Sequence, residues 1–228
     1  MASKSSGKLS LLDDIKRRVL TMALQPGESL DEVQLSQEYG ISRTPLRDVF
    51  RELAGEGYLE LRVHQGARVT PMTHKSLRDF FQVAPMMYAA VGRLAAQHAN
   101  SAQIRHIKSV QRHFRAALNP WSANRLVFHN NQFHMAIGEM AGNDYLMPSL
   151  RRLLIDHARI SQTFYREHQG TPGDHATGAA DQHDDIIAAI EARDPDLTVQ
   201  RVLAHWELAR QNIESYVRPD PLSESLAD

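Results

Sequence analysis

Two groups of residues in this chain are spaced for chemistry. Asn130 and His134 fall four apart in Asn130-Asn131-Gln132-Phe133-His134, so both project from one side of a helix. His183 precedes Ile187 and Ile190 at core spacing, and His205 has Val202 three residues before it and Ala209 four after. Each imidazole therefore sits at or beside a stripe that faces a core. Three imidazoles from three helices converging inside a bundle, with an oxygen donor one turn from one of them, make a site for a divalent metal. Spacing alone leaves a second account open, in which these are ordinary buried or boundary histidines with local hydrogen bonds. Against it stands the cost of burying three unpartnered imidazoles.

The other group lies near the front. Arg43, Arg47 and Arg51 are four apart and line one helix face, with Thr44 beside the first. Ser42 fits an N-cap, Pro45 falls in the first turn, and Gly55 and Gly57 stop the helix. On the opposite face Val49, Phe50, Leu53 and Ala54 can pack on Leu30, Val33, Leu35 and Ile41 of a short preceding helix and a turn at Gly40. Residues 58–63 and 67–70 are strand-like and joined at His64-Gln65-Gly66, a hairpin or wing. A short helix, a turn and an arginine-faced helix are what a major-groove reader needs. The competing account is a solvated charged face. The net charge is −1, and residues 1–70 hold ten Lys+Arg against ten Asp+Glu, so overall basicity lends no support. What counts is where the charge sits, because affinity comes from local phosphate contacts and guanine edges.

These groups need elements to hold them. Leu9, Leu12, Ile15, Val19 and Leu20 predict a first helix over 10–23, after a polar, disordered stretch 1–9. The reader helix and wing complete a first domain over 10–71, with Pro26-Gly27 as a turn. A linker follows over 72–76. From there the strand signals vanish. The spacing predicts six helices over 77–217: to about 100 with a kink at Pro85, 101–118, 122–141, 144–168, 179–192 and 194–217. Residues 169–178 read as a loop and 218–228 as a loose tail. The fold class is mainly α, a winged helix-turn-helix followed by an all-α antiparallel bundle. There is no cysteine, no apolar run long enough to span a bilayer and no apolar core of a signal peptide in MASKSSGKLS, so a cytoplasmic protein without a membrane partner is expected.

Ile41-Ser-Arg-Thr-Pro-Leu-Arg-Asp48, preceded by Leu35-Ser-Gln-Glu-Tyr-Gly40 and Pro26-Gly27, resembles the winged helix-turn-helix of the GntR family of transcription regulators. The resemblance implies DNA contacts from Arg43, Thr44, Arg47 and the wing-tip Gly66, with His64 and Gln65 as further wing contacts and Arg51 continuing the face. Residues 77–217 resemble the FCD ligand-binding domain of the FadR-like branch. The marks are Phe133-His134, the helix end at Ala141-Gly-Asn143, His183 with its following isoleucines, and His205 twenty-two residues later. In many such domains an Asp and three His hold a metal whose shell an organic acid completes. The matching residues are Asn130, His134, His183 and His205, and the metal implied is zinc or nickel.

Two departures from that pattern matter. Asn130 stands where the family usually has Asp, which removes one negative charge. Val83-Ala-Pro-Met-Met-Tyr88 lacks the Arg and Glu that family members often carry there. Arg93, Arg151 and Arg152 are candidate effector-binding substitutes, each also readable as a surface residue. The expected function is a homodimeric repressor of a pseudo-palindromic DNA operator, relieved by a small organic acid. A metal-free bundle binding an apolar or acyl ligand is the alternative. A metal-dependent enzyme is not expected, since no general base stands out and a DNA reader is attached.

Overall fold

The structure is a computed structural model, and it describes the backbone of residues 2–63, 65–167 and 174–217. Leu11, Leu12, Ile15 and Val19 recur at helical spacing and are buried along α1 (Ala2–Leu20). The helix starts well before residue 10, so the stretch expected to be disordered is helical from Ala2. No proline interrupts it, and once a turn is nucleated each further residue adds a hydrogen bond. In α2 (Glu32–Glu38) the Asp31 carboxylate caps the first turn, accepting from Val33 and Gln34 N–H at 2.8 and 3.0 Å. Val33, expected in the core, is 49% exposed on that first turn, and Leu35 alone of α2 is buried.

In α3 (Arg43–Glu56), Leu46, Val49, Phe50 and Leu53 face α1 and α2 and are nearly or wholly buried. Ser42 holds the N-cap position without a side-chain cap bond. Gly55 lies inside the helix, and the stop falls on Gly57 alone, at φ 91°. β1 (Leu59–Arg62) and β2 (Gly66–Val69) form the antiparallel wing, with Glu60 opposite Arg68 and ion-paired to it at 2.6 Å. Gly66 begins β2 at φ 74°, which no β-branched residue would take cheaply.

A capping box between Thr73 and Ser76 starts α4 (His74–His98), so most of the predicted linker is already helix. α4 runs through Pro85 without a break. α5 (Ser101–Ala116), α6 (Ala123–Ala141), α7 (Leu146–Glu167), α8 (Asp174–Glu191) and α9 (Pro195–Val217) complete the six-helix bundle. α8 begins at Asp174 rather than Ala179, so the second half of the predicted loop is helical. Residues 168–173 and the predicted tail lie outside the described residues. α4 packs on α6 and α9, α6 on α5 and α7, and α8 on α5 and α9. α1 lies on α7 and α6, so the core of the first domain continues into the bundle through Leu126, Ile155 and Ala158.

Close packing of α6 on α7 depends on Gly138, one turn beyond His134. A Cβ there would lie 2.2 Å from Leu150 Cδ2 and 3.2 Å from Met147 Sδ. Gly138→Ala is expected to cost about 1–3 kcal/mol of stability through overpacking. Urea unfolding monitored by circular dichroism measures it, and an unchanged midpoint would show that α7 simply yields.

Candidate metal centre and nucleic-acid interface

His134 on α6, His183 on α8 and His205 on α9 each bring one ring nitrogen within 4.8 Å of the other two. All three are buried. Neighbouring side chains set their planes and tautomers. Phe133 stacks on His183 at 3.8 Å and 14°, with Phe114 against it at 4.9 Å. Gln111 Nε2 donates to the Ala180 carbonyl at 2.6 Å, which turns its Oε1 towards His183 Nδ1 at 3.0 Å. Gln182 Oε1 faces His205 Nδ1 at 3.0 Å. An amide oxygen can only accept, so each Nδ1 carries the proton and each Nε2 keeps a lone pair. Nε2 of His134 and of His183 are buried and make no protein hydrogen bond. Two orphaned imidazole nitrogens beside a third ring, with acceptors behind His183 and His205, are a donor set that fits a divalent metal.

Burial is the main cause of the electrostatics here. It pushes His134 and His183 well below the usual histidine range, and the neighbouring imidazoles push the same way. His205 is pushed down to about 4. Asn130 is buried on α6 one turn before His134.

A fourth imidazole, missed in the sequence, joins the cluster. His157 on α7 is buried, its ring 4.7 Å from that of His134, and its Nδ1 is hydrogen-bonded to the Tyr88 hydroxyl of α4. Burial pushes it to about 3 and keeps the Tyr88 hydroxyl protonated. His157 follows Leu150, Leu153 and Leu154 at core spacing, the same signal that marked His183 and His205. His134, His157, His205, Tyr88 and Trp206 line a cavity of about 10 Å³, with Val91, Ile137, Val202 and Ala209 supplying its apolar wall. Among the described residues no arginine lines it. Arg93 is on the surface, paired with Asp196 at 2.6 Å. Arg151 is exposed, and Arg152 binds Asp156 at 2.8 Å and lies against Gly57. The two face the first domain, because this end of α7 packs on α3. None of the three proposed substitutes is brought to the cavity.

The arginines of α3 share an exposed face. Arg43, Thr44, Arg47 and Arg51 are exposed along α3. Arg47, Arg51, Arg62, Gln65 and Gly66 line an open groove of about 630 Å³ between α2, α3 and the wing. Arg47 is held by Glu32 at 3.3 Å and Arg51 by Asp48 at 2.6 Å. Exposed pairs of this kind are worth about 0–1 kcal/mol, so a phosphate can take either arginine at small cost. His64 lies outside the described residues.

A winged helix-turn-helix that offers arginines, joined to a helical bundle with a buried polar site, is the plan of a bacterial transcription regulator. The chain belongs to the GntR family, in the branch with an FCD domain: residues 8–69 match the model for bacterial regulatory proteins of the gntR family and residues 79–208 the FCD domain. It is 29% identical over 196 residues to a probable D-xylose utilization operon transcriptional repressor of Paenarthrobacter nicotinovorans, covering 85% of this chain and 82% of that one. It is 21% identical over 199 residues to the transcriptional repressor RspR of Escherichia coli, covering 87% and 85%. Among solved structures, Escherichia coli McbR/YncC superposes with a TM-score of 0.77 at 17% identity, over 93% of this chain and 99% of that one. That last likeness is one of fold.

The cluster sets a pH dependence. Histidines whose folded values are depressed bind fewer protons folded than unfolded, so stability rises with pH between the folded and unfolded values. For metal-stripped protein, stability is expected to be full above about 6.5. It should fall towards pH 4 as the unfolded-state counterparts of His157 and His205, at about 3 and about 4 when folded, take up protons. Each contributes a slope of about 1.4 kcal/mol per pH unit. Denaturant titrations from pH 7.5 to 4.5 test this. A flat profile would mean the rings are hydrated.

Proposed function

We propose that the chain is a homodimeric repressor, acting in the cytoplasm, whose bundle binds a divalent metal and a small carboxylate that together set operator affinity. The observation that carries the reading is the pair of buried, unpartnered Nε2 atoms of His134 and His183 converging with His205. Imidazole nitrogens suit zinc or nickel, and in this reading Asn130, buried one turn before His134, is the residue that adds an oxygen. When bound, the metal supplies a positive charge with open positions for an anion. The protein adds none of its own: the described residues of the cage and cavity are neutral imidazoles, a phenol, an indole and aliphatic groups. Desolvated positive charge surrounded by neutral groups favours an anionic ligand strongly. The Tyr88–His157 pair holds two protons and shares one, which leaves a donor at one end and an acceptor at the other for the ligand's polar group.

In the first domain Arg43, Thr44, Arg47 and Arg51 enter the major groove, and Gln65, Gly66 and His64 meet the backbone or minor groove. A two-fold dimer would read a pseudo-palindrome. Ligand matters because its binding energy differs between arrangements of the two domains, and relief of repression is the sense proposed. The apolar wall of Val91, Ile137, Val202, Trp206 and Ala209 supports one other reading, a metal-free cavity for an apolar ligand.

Arg47→Ala is expected to weaken specific operator binding by about 1–3 kcal/mol if it reads a base. A gel-shift titration at fixed salt measures this, and unchanged affinity removes Arg47 from the reader set. Metal analysis of purified protein separates the two readings of the bundle. His134→Ala should lose metal and ligand response while keeping operator binding, and Asn130→Asp, which restores a negative charge, should retain metal more tightly than wild type. Equal retention in Asn130→Asp and wild type would exclude Asn130 from the shell.

A further inference from the structure

Charge buried at the seam between the domains has no part in the site described so far. Arg159 of α7 is wholly buried and Asp156 nearly so. Arg159 Nη1 donates to the Thr70 carbonyl at 2.5 Å, and its Nη2 meets the Asp156 carboxylate. Arg152 donates to the other oxygen of Asp156 at 2.8 Å. Thr70 directly follows β2. Its hydroxyl donates to the Gly57 carbonyl at 2.8 Å and its N–H to the Tyr58 carbonyl at 3.0 Å. Gly57 caps α3, and a Cβ there would lie 2.3 Å from Arg152 Cδ. Three residues of α7 thus hold the C-terminal end of the reader helix and the root of the wing.

The next residue, His157, lies about 100° further round the helix and reaches the cavity instead. A cavity of about 10 Å³ has room for no more than about one water. Any larger occupant must displace a lining side chain, and among the described residues His157 is the lining residue on the helix that carries the latch. A buried ion pair is a poor device for stability alone, since removing the charges altogether is often neutral or favourable. It suits an element with two discrete arrangements, because its geometry is either satisfied or broken.

We propose that α7 is the transmitting element. His157 registers what occupies the cavity beside His134, and Asp156, with Arg152 and Arg159, passes the displacement to the cap of α3 and the root of the wing. Arg43, Arg47 and Arg51 then meet the duplex at a different angle. The inference rests on the reading of the three-histidine cage as a metal site and of the first domain as the DNA reader.

The test uses full-length protein, a labelled duplex from upstream of its own gene, and zinc alone as the probe, because zinc draws on His134, whose ring touches that of His157. Fluorescence anisotropy gives operator affinity for zinc-loaded and chelator-stripped protein. In wild type the two affinities are expected to differ by about fivefold or more. In Asp156→Asn, which keeps the shape and removes the charge, they should agree within about twofold. Arg152→Ala removes a half-exposed side chain with little risk to folding and should move the ratio the same way. Zinc affinity by competition with a chromogenic chelator should stay at the wild-type value in both, which a merely destabilising change would not leave intact. A wild-type ratio in both variants overturns the proposal, as does a wild type that takes up zinc with no change in operator affinity. A wild type that binds no zinc defeats the metal reading, and the inference falls with it.

Discussion

Four imidazoles can share a dry interior only while all four stay neutral, and much of the bundle follows from that constraint. A protonated ring among His134, His157, His183 and His205 would be a buried charge beside three other rings, with no carboxylate among the described residues of the cluster. The structure secures neutrality by burial and by aiming acceptors at chosen nitrogens. Gln111 on α5 and Gln182 on α8 fix the proton of His183 and of His205 on Nδ1, and Tyr88 satisfies the Nδ1 of His157. The stacked Phe133 keeps His183 from turning to find another partner. What remains is a set of lone pairs aimed inward.

The bundle topology serves the same end. α6, α8 and α9 carry the cage, and α4 and α7 carry the two residues that approach it from the side. α4 spans both roles. It begins in the Thr73–Ser76 capping box at the domain seam and carries Tyr88 about four turns on, so the seam and the cavity share a helix on this side as well as through α7. No long loop intervenes between cage and reader. The apolar core of the first domain continues into α6 and α7, and a displacement at one end of a packed interior is not easily absorbed before the other.

How much of this was legible in the sequence depended on which force dominated locally. Periodicity placed α5, α6, α7 and α9 within a few residues, since each buries one apolar face. Boundaries set by capping or elongation were less visible: α1 extends back to Ala2 and α8 starts at Asp174 through residues with no apolar signal, and Val33 faces solvent because α2 is too short to bury two faces. The histidines at 134, 183 and 205 were readable from core spacing. His157 carried the same spacing but lacked a matching family position. The arginines are placed away from the cavity for a different reason. Arg93, Arg151 and Arg152 were chosen by charge type, yet charge does not say which way a side chain points. The buried guanidinium is Arg159, and it was invisible because its partners, Asp156 and the Thr70 carbonyl, come together only when the domains pack.

The near-neutral charge of the first domain, which argued against a DNA reader, has a local resolution. Its acidic side chains are not spread evenly against its basic ones. Glu32 sits beside Arg47, Asp48 beside Arg51 and Glu60 opposite Arg68, so several acids spend their charge orienting an arginine on or near the reader surface. A guanidinium held by a carboxylate is less free to wander, so less conformational entropy is lost when it meets a base edge. The cost is a weaker long-range field, because each pair nearly cancels at distances beyond a Debye length of about 8 Å. Such a surface gives up non-specific attraction to DNA in general and keeps short-range recognition, the part of binding that carries sequence information.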